Sequence, residues 1–171
     1  MKMLITRILL VIFTMAVVAL GDVHAAGSKP DISSAGLKLG KLLLVNGATK
    51  TIKADAAKFH ANGRCMFEAS YVTVNTGGGA AEGDFLNILK REGKLVRRNN
   101  VRNLKPKAKK ENQFLLALTP GDNHLELTLD NSNRIKESDE KNNTITATVK
   151  ILGRCSGKTL TTKKKPANKS N

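Results

Sequence analysis

Between Leu86 and Lys110 the chain carries ten basic side chains: Lys90, Arg91, Lys94, Arg97, Arg98, Arg102, Lys105, Lys107, Lys109 and Lys110. A single acid, Glu92, stands among them. Guanidinium and ammonium groups at that density bind phosphate, sulfate or carboxylate, and bind them more tightly as salt is withdrawn. Only Phe85 and Phe114 flank the run. The aromatic platforms on which single-stranded bases stack are therefore missing, and sequence-specific nucleic-acid readout is not expected. The run points instead to sequence-independent contact with a polyanion. Its plainer role is to guard exposed strand edges, a common use of Lys and Arg. Ten against one exceeds what that role needs.

Other constellations fall short of chemistry. The acidic, Asn-rich segment from Asp130 to Asn143 invites a calcium reading, because Asp, Asn and Glu oxygens suit hard cations. EF-hand spacing fails there. A loop starting at Asp130 places Arg134 at a ligand position, Ile135 where the sharp turn needs Gly, and Lys141 in place of the closing Glu. The segment reads better as a turn tied by its own Asx side chains, with Ile135 plugging the end of the core. Cys65, Cys155, His60 and His124 lack the paired close spacing of a zinc site. Gly77, Gly78 and Gly79 form no phosphate-binding fingerprint, since a strand pattern rather than a helix follows them, and they read as a mobile loop. No GxSxG elbow exists, and Asp139 and Glu140 are neighbours that would point to opposite faces of a strand. No metal, no cofactor and no catalysis are expected.

Compartment is read from the start of the chain and from the cysteines. Lys2 and Arg7 precede an apolar run of 13 residues, Ile8–Leu20, and Val23-His24-Ala25 supplies small residues for a signal peptidase. Thirteen residues fall short of the ~20 that span a bilayer. Residues 1–26 are thus expected to be a cleaved signal, leaving an exported protein, periplasmic or extracellular, without an integral membrane segment. The only two cysteines, Cys65 and Cys155, are an even count in an oxidising compartment and are expected to pair as a disulfide. Residues 156–171 are rich in Lys, Thr, Ser and Asn, cannot bury a core, and are expected to be disordered, with Lys163, Lys164 and Lys165 as a second basic contact. With a formal charge of +15 over the whole chain, polyanions are attracted and the protein repels its own kind.

The elements between those ends read as strands. Leu125, Leu127 and Leu129 alternate with His124, Glu126 and Thr128; Ile145, Ala147, Val149 and Ile151 alternate with Thr144, Thr146, Thr148 and Lys150. Such period-two alternation marks antiparallel strands with one buried and one wet face. Leu37–Val45 reads as one strand closing at Asn46-Gly47. Thr51–His60 wavers between a helical turn and irregular strand. Along Arg64–Asn75 the apolar parity changes after Tyr71, which suggests a bulge. Asp84–Lys90, Lys94–Val101 and Gln113–Thr119 follow as further strands, with Lys105–Lys110 as a basic connection. Strands roughly ten residues apart with turn signals between them indicate an all-β fold, an immunoglobulin-like antiparallel sandwich of about seven strands.

Several of these residues resemble a known family. Tyr71-Val72-Thr73-Val74-Asn75-Thr76-Gly77, the Pro120-Gly121 lead-in, and Asp130, Asn133, Ile135, Glu137, Glu140, Asn142 and Asn143 are similar to the CARDB domain, an adhesion-related module of bacteria and archaea. Pro30-Asp31-Ile32 resembles its usual opening. The resemblance covers residues 64–151 and implies an immunoglobulin-like seven-stranded fold. The longer first connection, the cysteine pair and the basic middle and tail depart from its pattern. The expected whole is a signal (1–26), a CARDB-like domain (27–155) and a Lys-rich tail (156–171). It is expected to act as a non-catalytic binding or adhesion module of the cell envelope, whose partner is a protein or an envelope polyanion. The alternative is a structural or accessory envelope protein whose charge has no specific ligand.

Overall fold

The computed structural model describes residues 28–156. The expected signal, its cleavage site and the Lys-rich tail beyond Ser156 lie outside the described residues. Eleven strands are present among the described residues: β1 (Ile32–Ser33), β2 (Leu37–Leu39), β3 (Leu42–Leu44), β4 (Ala48–Lys53), β5 (Phe59–Ala61), β6 (Arg64–Asn75), β7 (Ala81–Arg91), β8 (Lys94–Leu104), β9 (Lys109–Leu118), β10 (Gly121–Thr128) and β11 (Thr144–Leu152). A single 3-10 turn, Ala54–Ala56, follows β4.

Two sheets face each other. In the first, β6 is the hub, pairing with β1, β2 and β5 on one side and with β9 on the other, while β3 extends β2. The second runs β4-β11-β10-β7-β8. Side chains of alternating parity fill the space between them: Phe67, Ala69 and Tyr71 of β6 and Leu116 and Leu118 of β9 meet Phe85 and Leu89 of β7, Leu125 and Leu127 of β10, and Val149 of β11. The all-β sandwich is the fold, and its core is apolar as period-two patterning requires.

Details differ from the sequence reading for physical reasons. The strand expected over Leu37–Val45 is a hairpin, because Gly40 at φ 55° opens a two-residue turn and Leu39 pairs with Leu42. One pair is parallel rather than antiparallel: β4 lies beside β11 in the other sheet from β3, pinned where Asn46 Oδ1 accepts from the Thr146 N–H at 2.9 Å. The ladder between β6 and β9 runs from Cys65↔Leu118 to Val74↔Lys109 without interruption, so no bulge lies at Tyr71. Inward parity simply continues through two polar residues, Thr73 and Asn75, both fully buried. Thr73 Oγ1 accepts from Asn87 Nδ2 at 2.8 Å, and Asn75 Nδ2 donates to the carbonyls of Leu104 (2.9 Å) and Gly79 (2.8 Å). Irregularities occur instead between β7 and β8, at Ala81/Asp84 and at Leu89/Lys90.

The triple glycine is a packed corner and not a loose loop. A Cβ on Gly77 would stand 2.4 Å from the Lys29 carbonyl oxygen, and one on Gly79 would stand 2.1 Å from that of Ser28. Glycine is required there because another backbone passes through the space a side chain would need.

Lys109 and Lys110, expected in a connection, are the first residues of β9. The reversal uses Lys105–Ala108, where Ala108 N–H donates to the Lys105 carbonyl at 3.1 Å and Lys107 adopts φ 61°.

Disulfide geometry joins Cys65 and Cys155, with S–S 2.04 Å and Cα–Cα 5.0 Å. Both side chains are buried. Beside them His60 is also buried, its Nδ1 and Nε2 against the carbonyl oxygens of Ser156 (2.8 Å) and Ala54 (3.0 Å).

Candidate polyanion interface

Among the described residues β8 pairs only with β7, and β9 only with β6, so each is the edge strand of its sheet on the same side of the sandwich. Register then sorts the ten basic residues. Arg97 stands opposite the buried Leu89 and shares the parity of the buried Val101, so it faces the other sheet. Lys94, opposite Arg91, shares that inward parity. Lys110 stands opposite Thr73 and shares the parity of Leu116 and Leu118. These residues look toward the seam between β8 and β9.

Lys90, Arg98 and Arg102 take the opposite parity and lie on the outer face of the second sheet. Two of them are already occupied there. Lys90 Nζ is 2.8 Å from Glu126 Oε1, and Arg102 grips Asp84. Lys105 and Lys107 sit on the reversal, where Lys107 Nζ donates to the Thr76 carbonyl. Lys109 heads β9 with the outward parity of Val74. One contiguous face does not hold all ten; the seam holds Arg91, Lys94, Arg97 and Lys110.

Along the seam the side chains are held in place. Arg91 crosses between the sheets, its Nη1 donating to the Ala117 carbonyl at 2.6 Å. The Arg97 guanidinium lies over the Phe114 ring, 5.6 Å from its centroid. Phe114 in turn meets Tyr71 edge to face, with centroids 6.2 Å apart and planes at 68°. Asn99 Nδ2 donates to Asn112 Oδ1 across the two strands. Burial pushes the Tyr71 hydroxyl above its ordinary pKa, against the opposing pull of Asn87 and the Arg97 charge. It therefore stays a neutral donor. Tyr71, Arg97, Asn99, Asn112 and Phe114, with Lys110, line a cleft of about 230 Å³. Among the described residues, ion pairs involve Lys58, Lys90 and Arg102 alone of the cations, so Lys94, Arg97 and Lys110 have no carboxylate partner there.

Asn99 and Asn112 were not singled out by sequence reasoning, and Tyr71 was read as a strand and motif residue without a place at the seam. The signal was present: carrying the inward parity of Leu116 and Leu118 back along β9 passes Phe114 and reaches Asn112 and Lys110, polar where a core would be apolar. On the opposite edge, a larger and more apolar groove of about 640 Å³ lies between Leu39 and Leu42 on one sheet, Ile52 on the other, and Ala56 and Ala57 at the 3-10 turn. Its Lys58 is engaged by Glu68.

The acidic turn closes on itself. Asp130 Oδ2 accepts from the Ile135 N–H at 2.7 Å, Glu140 Oε1 from the Glu137 N–H at 3.0 Å, and Asp31 Oδ1 from Asn142 Nδ2 at 2.7 Å. Glu137 is buried and accepts from the Ile32 N–H and from Asn143 Nδ2. Ile135 is 5% exposed and joins the core. No group of three or more His, Cys, Asp and Glu among the described residues is placed to hold a metal ion. Thus the residues that make the turn recognisable tie β1 and β11 together.

A protein-family model for CARDB matches residues 57–147. The chain belongs to the CARDB family. The matched span holds β5 to β10 and the acidic turn, including every residue of the seam. A CARDB domain from Pyrococcus furiosus, solved in complex with di-metal ions, shares the fold with a TM-score of 0.52 at 21% identity, over 72% of this chain and 94% of that one. A solution structure of the same archaeal domain gives 0.55 at 20% identity, over 73% and 97%. A domain of a candidate cell surface protein from Methanosarcina acetivorans gives 0.50 at 22% identity, over 72% and 93%. Identities at this level speak for the fold. No curated protein matches the chain. CARDB is an adhesion-related, binding-type domain, and no helix among the described residues is long and apolar enough to cross a membrane.

Proposed function

We propose that this CARDB protein is an exported, non-catalytic adhesion module that holds polyanionic polymers of the cell envelope along the β8–β9 seam. The observation that carries this reading is the set of seam cations, Lys94, Arg97 and Lys110, without a carboxylate partner among the described residues. Lys94 and Arg97 stand opposite Arg91 and Leu89, two positions apart on β7, and at a rise of ~3.3 Å per residue that spacing lies within one Debye length of ~8 Å. An anionic polymer relieves their mutual repulsion and releases its own counterions. Export is supported by the buried Cys65–Cys155 disulfide, which belongs to an oxidising compartment, and by the signal-like start of the chain.

A second reading has an observation of its own. Both β8 and β9 are open sheet edges, and Lys and Arg on edges prevent strand-to-strand aggregation. One experiment separates the two. The protein is passed over immobilised heparin, lipopolysaccharide and DNA while salt is raised from about 50 to about 200 mM. Retention that falls steeply with salt supports the polyanion reading. No retention on any of the three at low salt leaves edge protection as the role of the charge.

A further inference from the structure

We propose that the cleft between β8 and β9 is a subsite for one tetrahedral oxyanion ester, a sulfate or phosphate group pendant from a polymer, gripped by Arg97 and Lys110. This rests on the polyanion reading above and sharpens it, because it assigns recognition to a place and not to a field.

Four features of the cleft favour such a group. Its walls are Tyr71, Arg97, Asn99, Lys110, Asn112 and Phe114, all inward by register yet mostly polar, at a position where the sandwich would otherwise close on apolar side chains. Its size is the second feature. Drug-sized ligands fill roughly 300–1,000 Å³, and about 230 Å³ suits one pendant group with its waters, while the polymer backbone stays outside.

The third feature is the state of Arg97. Its guanidinium rests on Phe114, whose ring is itself set against Tyr71. A guanidinium held over a ring spends no carboxylate on that contact and keeps N–H donors available, and a fixed fork loses little entropy when it binds a tetrahedral anion. The fourth is the balance of charge. Glu111 is the one acid at the rim, and its Oε1 already accepts from Gln113 Nε2 at 3.0 Å. Two cations face the cleft with no carboxylate bound to either among the described residues.

The test measures equilibrium retention at one fixed salt concentration on three probes: heparin, desulfated heparin that keeps its carboxylates, and phosphocellulose, whose phosphate monoesters hang from the polymer. Arg97→Gln and Lys110→Gln are each expected to lose about tenfold on the ester-bearing probe that holds the wild type more tightly, as the loss of a charge-assisted bond implies. Lys150→Gln, on exposed β11, and Arg98→Gln remove the same charge outside the cleft and are expected to lose no more than about threefold. Phe114→Leu, which alters no charge, is expected to weaken retention by freeing Arg97. Melting temperatures are recorded for every variant. Lys110→Gln changes an exposed side chain and so decides the matter even if Arg97→Gln unfolds. Equal losses for all four charge variants overturn the cleft while leaving polyanion binding in place. Desulfated heparin bound as tightly as heparin and phosphocellulose overturns the ester assignment. A wild type that none of the probes retains overturns the underlying reading as well.

Discussion

Arg102 and Asp84 face each other across β7 and β8 in a two-pronged ion pair, with Nε 2.6 Å from Oδ1 and Nη2 2.8 Å from Oδ2. Each shifts the other in the expected direction: the Arg102 guanidinium holds the Asp84 carboxyl below its usual range, and Asp84 raises Arg102. The pair withdraws one of the ten basic residues from anion binding. The two residues are register partners beside the irregularity at Ala81/Asp84. Arg102→Gln is accordingly expected to leave retention on heparin nearly unchanged at fixed salt. A loss as large as that of Arg97→Gln would show that Arg102 leaves Asp84 to meet the ligand.

The disulfide closes a separation of 90 residues. In the loop-entropy treatment such a closure stabilises by up to about 4.6 kcal/mol. The double variant Cys65→Ala, Cys155→Ala is expected to lower the urea midpoint markedly while the slope of the transition hardly falls. An unchanged midpoint would mean that burial around the pair, and not the covalent bond, holds that end of the sandwich.

Asn143 supplies one of the two donors to the buried Glu137, at 2.9 Å, while its own carbonyl oxygen accepts from the Leu129 N–H at 2.8 Å. Asn143→Ala keeps the backbone bond and removes the side-chain donor. A cost of roughly 1–2 kcal/mol is expected from leaving a buried carboxylate under-bonded. Denaturant unfolding measures it directly, and a cost near zero would show that Ile32 alone satisfies Glu137.

Burial pushes the Glu137 pKa from 4.5 up to about 7, with Glu140 and Asp130 adding to the rise and the bonds from Ile32 and Asn143 opposing it. A carboxyl whose folded pKa exceeds its unfolded value binds its proton more tightly in the fold. Its contribution to stability is therefore complete below the unfolded value and is lost as pH rises through the folded one. The melting temperature is expected to fall between about pH 5 and about pH 8 through this group, and Glu137→Gln is expected to flatten that slope. Parallel slopes for wild type and variant would assign the dependence elsewhere.

Legibility in the sequence followed the strength of local pattern. β10 and β11 could be read because leucine and isoleucine alternate there with polar residues, and their register confirms it from Gly121↔Ile151 to Thr128↔Thr144. The parity of β6 misled after Tyr71, because Thr73 and Asn75 are buried for their hydrogen bonds and not for apolarity. The parallel β4–β11 pair could not be read at all, since nothing local says which sheet a short strand joins. At the seam, the cations were visible as a run of charge. Their division between inner and outer faces was not, because it depends on the pairing of β7 with β8 and on the irregularity at Leu89/Lys90.

Cys155 lies beyond the end of β11, in the second sheet, yet its bond runs to the start of β6 in the first. Tension applied to the chain beyond Cys155 therefore does not peel β11 from β10 one hydrogen bond at a time. It passes through sulfur to Cys65, so the chain from β6 to β11 sits inside a covalent loop. The crosslink takes those strands out of the path of a pull from the C-terminal side and hands the load to the chain that precedes Cys65.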